Sequence, residues 1–245
     1  MYETANAALI DDLVSANHIL VTEQVFDGFG HVSVRHSQRA DRFLISKSLA
    51  PSMVSAQDIV ECDLEGQVID AQGRKSYLER FIHSAIFKAR PDVMAVIHSH
   101  SPAVIPFGVT GARLRPICHM SGFLGSKTPV HDIRDAIGES SDMLIRNQAL
   151  GESLAQTLGG NAVALMRGHG SVTVGGSLQQ AVFRAIYTEA NARLQFQAMQ
   201  IGAVNFMTDD EAFNSAEVND QQIERPWQLW KQKAQQAQRL LKANT

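Results

Sequence analysis

The segment VMAVIHSH, residues 93–100, decides how this chain is read: an apolar, β-branched run follows Pro91 and ends in two histidines one residue apart. The proline break and the Val/Ala/Ile run mark a buried strand. Side chains alternate along a strand, so His98 and His100 project from one face with Cβ atoms roughly 6–7 Å apart. That spacing suits one metal ion, although paired histidines at a strand end also occur as solvated or capping residues.

Working outward towards the N-terminus, residues 77–90 place Leu78, Phe81, Ile82, Ala85 and Ile86 at helical spacing, and Pro91 ends that helix. Before it, DIVECDLEGQVID (58–70) reads as two strands about a turn at Gly66, RFLIS (42–46) and HVSVRH (31–36) read as short strands, and 9–20 reads as an opening amphipathic helix. Towards the C-terminus, the pattern predicts a helix over 143–158, a strand at NAVALM (161–166), the turn RGHG and a return strand at SVTVGG (171–176). A long helix over 178–199 follows, with Ser177-x-x-Gln180 as a capping box, and an amphipathic helix over 228–241 closes the chain. Helix and strand mix throughout, an α/β pattern without repeats or a linker. One domain over 1–245, with 206–245 as a C-terminal helical tail carrying Trp227 and Trp230, is the simplest organisation.

Composition narrows the function. The 245 residues are 44% hydrophobic and 19% charged with a net charge of −3, so a folded chain is expected and the basic footprint of a nucleic-acid binder is missing. The N-terminus has acidic residues where a signal peptide would be basic. The stretch 93–112 lacks Asp, Glu, Lys and Arg, but its histidines, prolines and glycines argue against a membrane helix. With only Cys62 and Cys118, in no CxxC pair, a reduced cytoplasmic protein is expected.

A third histidine, His169, lies between glycines in MRGHGSV at the end of another expected strand, where it reads either as a turn residue or as a ligand. Three neutral imidazoles would leave a divalent cation with open positions, the arrangement of a catalytic site. Nitrogen ligands favour zinc, while manganese, iron and cobalt also accept such a set. Glu79, 19 residues before His98, is open to two readings. Ser76-x-x-Glu79 matches a capping box, yet a helix followed by an adjacent strand returns the helix start towards that strand's end. His83 shares its helix face. His18, His36 and His131 read as surface or hydrogen-bonded residues.

Taken together, Glu79, the HSH pair and the histidine in an HG turn, with GHVSVR (30–35) and DIVECDLEG (58–66), resemble the class II aldolase/adducin family over roughly residues 6–205. The resemblance implies a three-layer α/β/α fold with a mainly antiparallel central sheet and a homotetramer with active sites at subunit interfaces. It also implies one divalent metal ion per subunit on His98, His100 and His169, with Glu79 as acid/base. The adducin branch lacks these histidines, so an intact set favours an enzyme.

The family spans aldolases, epimerases and decarboxylases, so the phosphate site should discriminate. Sugar-phosphate aldolases place an SGN turn, a TPTG-like loop and two serines around phosphate. Here the three places read Phe29-Gly30-His31, Ser46-Lys47-Ser48-Leu49 and Tyr77-Leu78, which removes small donors and adds bulk. This pattern resembles the branch that decarboxylates hydroxylated aromatic dicarboxylates. A flat aromatic acid is the expected substrate, met by His31, Ser46, Lys47, Ser48 and Tyr77, with Arg115 and His119 as candidates for a second carboxylate. A positioned acid, Glu79 or a histidine, must protonate the ring carbon, and a Glu79 carboxyl desolvated against Phe81 and Ile82 would have the raised pKa this needs. The alternative is a metal-dependent aldolase acting on a non-phosphorylated hydroxy-keto acid.

Overall fold

In the computed structural model, which describes residues 2–69 and 72–243, seven strands form one sheet. The strands are β1 (His31–Arg35), β2 (Arg42–Ser46), β3 (Ile59–Asp63), β4 (Ala95–Ser99), β5 (Val130–His131), β6 (Val163–Met166) and β7 (Gly170–Gly175). Their order is β3-β2-β1-β4-β7-β6-β5, and every neighbouring pair is antiparallel except β5–β6. This is the mainly antiparallel α/β architecture expected from the sequence.

Alternation along the strands supplies two apolar faces. Val32, Val34, Leu44, Ala95 and Ile97 meet α1 (Tyr2–Thr22), α6 (Leu178–Ile201) and α8 (Glu224–Ala243). Phe43, Ile45, Val60, Val96 and Val172 meet α2 (Arg80–Ala89) and α5 (Gln148–Leu158) on the other side. Trp227 and Trp230 of α8, 2% and 6% exposed, insert into the first of these cores and dock the C-terminal helix there. The short helices α3 (Ile105–Val109) and α4 (Arg134–Ile137) lie in connections, and α7 (Asp209–Asp220) packs on the 3-10 segment His119–Leu124.

Several elements differ from their sequence reading. The helix expected from residue 77 starts at Arg80, and the Ser76–Glu79 capping box does not form. Ser76 Oγ instead donates to the Ser46 carbonyl, and Glu79 accepts from the Ile145 N–H. The helix expected from 143 starts at Gln148, capped by Asn147, because Met143 adopts φ 66° and turns the chain away from helix. The second strand of 58–70 reduces to one bridge, Cys62 with Val68, while Asp70 lies outside the described residues. At α6, Ser177 accepts from the Gln180 N–H, but the Gln180 side chain bonds Gly176 and Asp220, leaving half a capping box. The α7 helix was not expected, although Thr208 and Glu211 form a complete capping box at its start.

Candidate metal centre and pocket

The register pairs His31 of β1 with His98 of β4, on the sheet face that α2 covers. Glu79 stands immediately before α2, so the α2–β4 connection returns its carboxylate to the end of β4. Arg35 holds the other end of α2, donating to the carbonyls of Phe87 and Arg90 at 2.8 and 3.1 Å. The 166–170 turn brings His169 beside His100 with Gly168 at φ 66°, and Gly170 lets β7 lie against the Ser99 backbone.

One donor atom each from Glu79, His98, His100 and His169 lies within 4.8 Å of all the others. His100 Nε2 is 3.2 Å from His98 Nε2 and 3.0 Å from His169 Nε2. The far ring nitrogens explain why these edges face inward. His98 Nδ1 donates to the Ser171 carbonyl at 3.1 Å and His169 Nδ1 to the Met143 carbonyl at 2.9 Å. A carbonyl only accepts, so each ring carries a proton on Nδ1 and, when neutral, presents a bare Nε2. Three imidazoles and a carboxylate converging in this way fit a divalent cation with positions left open. The left-handed Met143 backbone is part of this support, since its carbonyl fixes His169.

The charge state of Glu79 differs from the sequence expectation. Burial alone would push its carboxyl up, but His169, His98 and the Ile145 N–H outweigh burial and hold it at about 2. Glu79 Oε2 lies 3.7 Å from His98 Nε2 and 3.5 Å from His169 Nε2. A bound dication would act in the same direction, so Glu79 is a carboxylate here. Burial, with neighbouring rings, lowers His98 and His100, whereas Glu79 overcomes burial to raise His169.

A cavity of about 560 Å³ opens beside these donors, lined by His31, Tyr77, Glu79 and His100 and walled by Phe29, Leu49, Leu78 and Leu144. Ser48 also lines it, but Ser46 and Lys47 do not. The Ser46 hydroxyl is 2.7 Å from Tyr77 Oη, which itself donates to the Leu49 carbonyl, and the Lys47 ammonium is tied to Asp58 at 2.7 Å. Tyr77 therefore offers the pocket its ring, 4.6 Å from that of His31. Arg115 and His119 are also absent from this wall: Arg115 stacks on Phe206 at 4.3 Å, and His119 is exposed at the start of a 3-10 segment. His83 is fully buried behind His31, while Met143 and the Ile145 N–H join the site from a segment whose sequence reads as ordinary helix. His36 and His131 are buried and hydrogen-bonded, and His18 bonds the Val54 carbonyl.

The profile of the class II aldolase and adducin N-terminal domain matches residues 11–196. The chain belongs to this family. It is 38% identical over 240 residues to the decarboxylase tropJ of Talaromyces stipitatus, covering 89% of this chain and 90% of that protein. It is 27% identical over 212 residues to a 3,4-dihydroxyphthalate decarboxylase of Arthrobacter keyseri, covering 80% and 81%. Among solved structures, L-fuculose 1-phosphate aldolase from Glaciozyma antarctica superposes with a TM-score of 0.79 at 26% identity, covering 97% of this chain and 92% of that one. These relatives support a lyase, and the chain carries a donor cluster that could hold a divalent cation. Among the described residues, no helix is long and apolar enough to cross a membrane.

Proposed function

We propose that this protein is a divalent-metal-dependent decarboxylase of a hydroxylated aromatic or heteroaromatic carboxylate or dicarboxylate, working as a cytoplasmic homotetramer. The observation that carries the reading is a four-donor cluster able to hold a cation, opening into a pocket walled by Phe29, Leu49, Leu78 and Leu144. His98, His100 and His169 are its metal ligands, with zinc or manganese the favoured ion and iron(II) or cobalt(II) also compatible. When bound, the cation supplies Lewis acidity that stabilises negative charge on an ortho ring oxygen and a neighbouring carboxylate.

The chain's own residues do the rest. Phe29, Tyr77 and Leu78 hold the ring and exclude water, while His31 and Ser48 face the substrate's oxygens. Glu79, ionised, first accepts the proton of the ring hydroxyl on Oε2, because Oε1 is held by Ile145. It then delivers that proton to the ring carbon from which CO2 leaves, and the pair from the broken carbon–carbon bond becomes the new C–H bond.

The likeness to an aldolase structure supports a second reading, an aldolase acting on a non-phosphorylated hydroxy-keto acid with the same four residues. Metal-loaded protein incubated with hydroxylated aromatic dicarboxylates, and separately with pyruvate and short aldehydes, tells the two apart. CO2 release supports the decarboxylase, and aldol product without CO2 release overturns it.

A further inference from the structure

Ser33 lies two residues after His31 on β1 and shares its face, and His83 of α2 sits over both. His83 Nδ1 is 2.6 Å from Ser33 Oγ, and His83 Nε2 is 2.6 Å from His31 Nδ1. Ser33 and His83 are fully buried and His31 is 4% exposed. The outer Nε2 of His31 bonds no described residue, and His31 lies in the pocket wall outside the four-donor cluster. Its ring packs between those of Tyr77 at 4.6 Å and His98 at 5.0 Å.

Such a chain of neutral groups has two proton arrangements. In the first, the Ser33 hydroxyl donates to His83 Nδ1, His83 Nε2–H donates to His31 Nδ1, and His31 keeps its proton on Nε2. In the second, every bond reverses and His31 Nε2 is bare. The reversed chain leaves the Ser33 hydroxyl proton without an acceptor among the described residues, in an interior where an unmade hydrogen bond carries the full cost of desolvation. The first arrangement satisfies Ser33, His83 and His31 Nδ1 and leaves its one free proton, on His31 Nε2, at the pocket.

We propose that Ser33 and His83 are positioning residues that lock His31 as its Nε2–H tautomer, giving the pocket a neutral donor for an anionic oxygen of the ligand beside the cation site. The ligand's identity rests on the function proposed above, whereas the tautomer lock rests on the buried chain alone. Both rings are buried, where a charged imidazolium is disfavoured, so the donor adds no positive charge to a site that would hold a dication.

The test uses full-length, zinc-loaded protein with 15N-labelled histidine, the His31 resonances being assigned with His31→Asn. Wild type should show a bare Nδ1 and a protonated Nε2 at His31. Calorimetry with 2-hydroxybenzoate should then find binding weakened about fivefold or more in His83→Leu with metal stoichiometry unchanged. His83→Gln should bind within about twofold of wild type, because its amide can accept from Ser33 and donate to His31. A proton on His31 Nδ1, or wild-type affinity and an unchanged tautomer in His83→Leu, would overturn the lock. If His83→Leu does not fold, the wild-type resonances together with His83→Gln still decide. Wild-type protein that shows the expected tautomer but does not bind 2-hydroxybenzoate would overturn the aromatic-acid reading and leave the lock standing.

Discussion

Replacing Gly170 with alanine probes how closely the two histidine-bearing segments must lie. Gly170 opens β7 directly after His169, and a Cβ built there would stand 2.0 Å from the Ser99 carbonyl oxygen, 2.9 Å from its carbon and 3.1 Å from His100 Cα. Packed interiors keep such contacts beyond about 3 Å, so β7 and β4 must part by about 1 Å. All three atoms are backbone, so no rotamer change relieves the clash. The displacement separates His169 from His98 and His100, whose Nε2 atoms now sit 3.0–3.2 Å apart along the chain of contacts. Zinc–nitrogen bonds near 2.0–2.1 Å tolerate only ~0.2 Å. The variant should lose about 1–3 kcal/mol of stability without metal, from overpacking, and at least ~10-fold in metal affinity besides. Chemical unfolding of the metal-free protein gives the first quantity and competition with a chelator gives the second. Gly160→Ala, where a Cβ meets nothing within 4 Å, is the control and should leave metal binding unchanged. Wild-type metal affinity in Gly170→Ala would refute the requirement for backbone contact.

Four further outcomes follow from the same geometry. His98→Ala should purify with little bound metal, and a stoichiometric metal content would remove His98 from the ligand set. Glu79→Gln should keep its metal while turnover falls about 100-fold or more, and unchanged turnover would exclude the proton-transfer role. In metal-free protein, Glu79 has a folded value of about 2, below its ordinary 4.5, so its stabilisation is complete above 4.5 and is lost as pH falls towards 2. The stability advantage over Glu79→Gln should therefore shrink by about 1.4 kcal/mol per pH unit between about pH 4.5 and 3, and a constant difference would contradict the charge state. Trp230→Ala, at a position 6% exposed in the core shared by α1, α6 and α8, should cost about 3–5 kcal/mol in urea unfolding while leaving metal affinity intact.

Strong local signals in the sequence carried most of the architecture. The alternation at 31–35, the β-branched run before His98 and the helical spacing of Phe81, Ile82, Ala85 and Ile86 each correspond to an observed element. Errors arose where tertiary partners outcompeted local rules. Glu79 left its apparent capping box because the Ile145 N–H and two histidines offered a buried carboxylate better partners. The helix expected from 143 was cut short by the left-handed Met143, a conformation that nothing in Met-Leu-Ile announces. Spacing alone leaves each of the four donors open and the family resemblance gathers them into one set, but neither announces the charge of Glu79, which depends on histidines 19 and 90 residues away that compete with desolvation. The ion pair that takes Lys47 from the pocket to Asp58 is a tertiary contact that the local sequence does not announce, whereas Thr208-x-x-Glu211 is a legible capping-box signal for α7.

Loaded with metal, this donor set is proposed to remove CO2 from a hydroxyaromatic acid, with Glu79 returning a proton to the ring. The most direct measurement is a single turnover of carboxyl-13C-labelled 3,4-dihydroxyphthalate in D2O, with loaded and metal-free protein side by side. The loaded protein should give labelled CO2 and one deuterium on the vacated ring carbon, and the metal-free sample neither. Equal CO2 release from both samples, or none from the loaded protein together with carbon–carbon bond formation from pyruvate and an aldehyde, would contradict it.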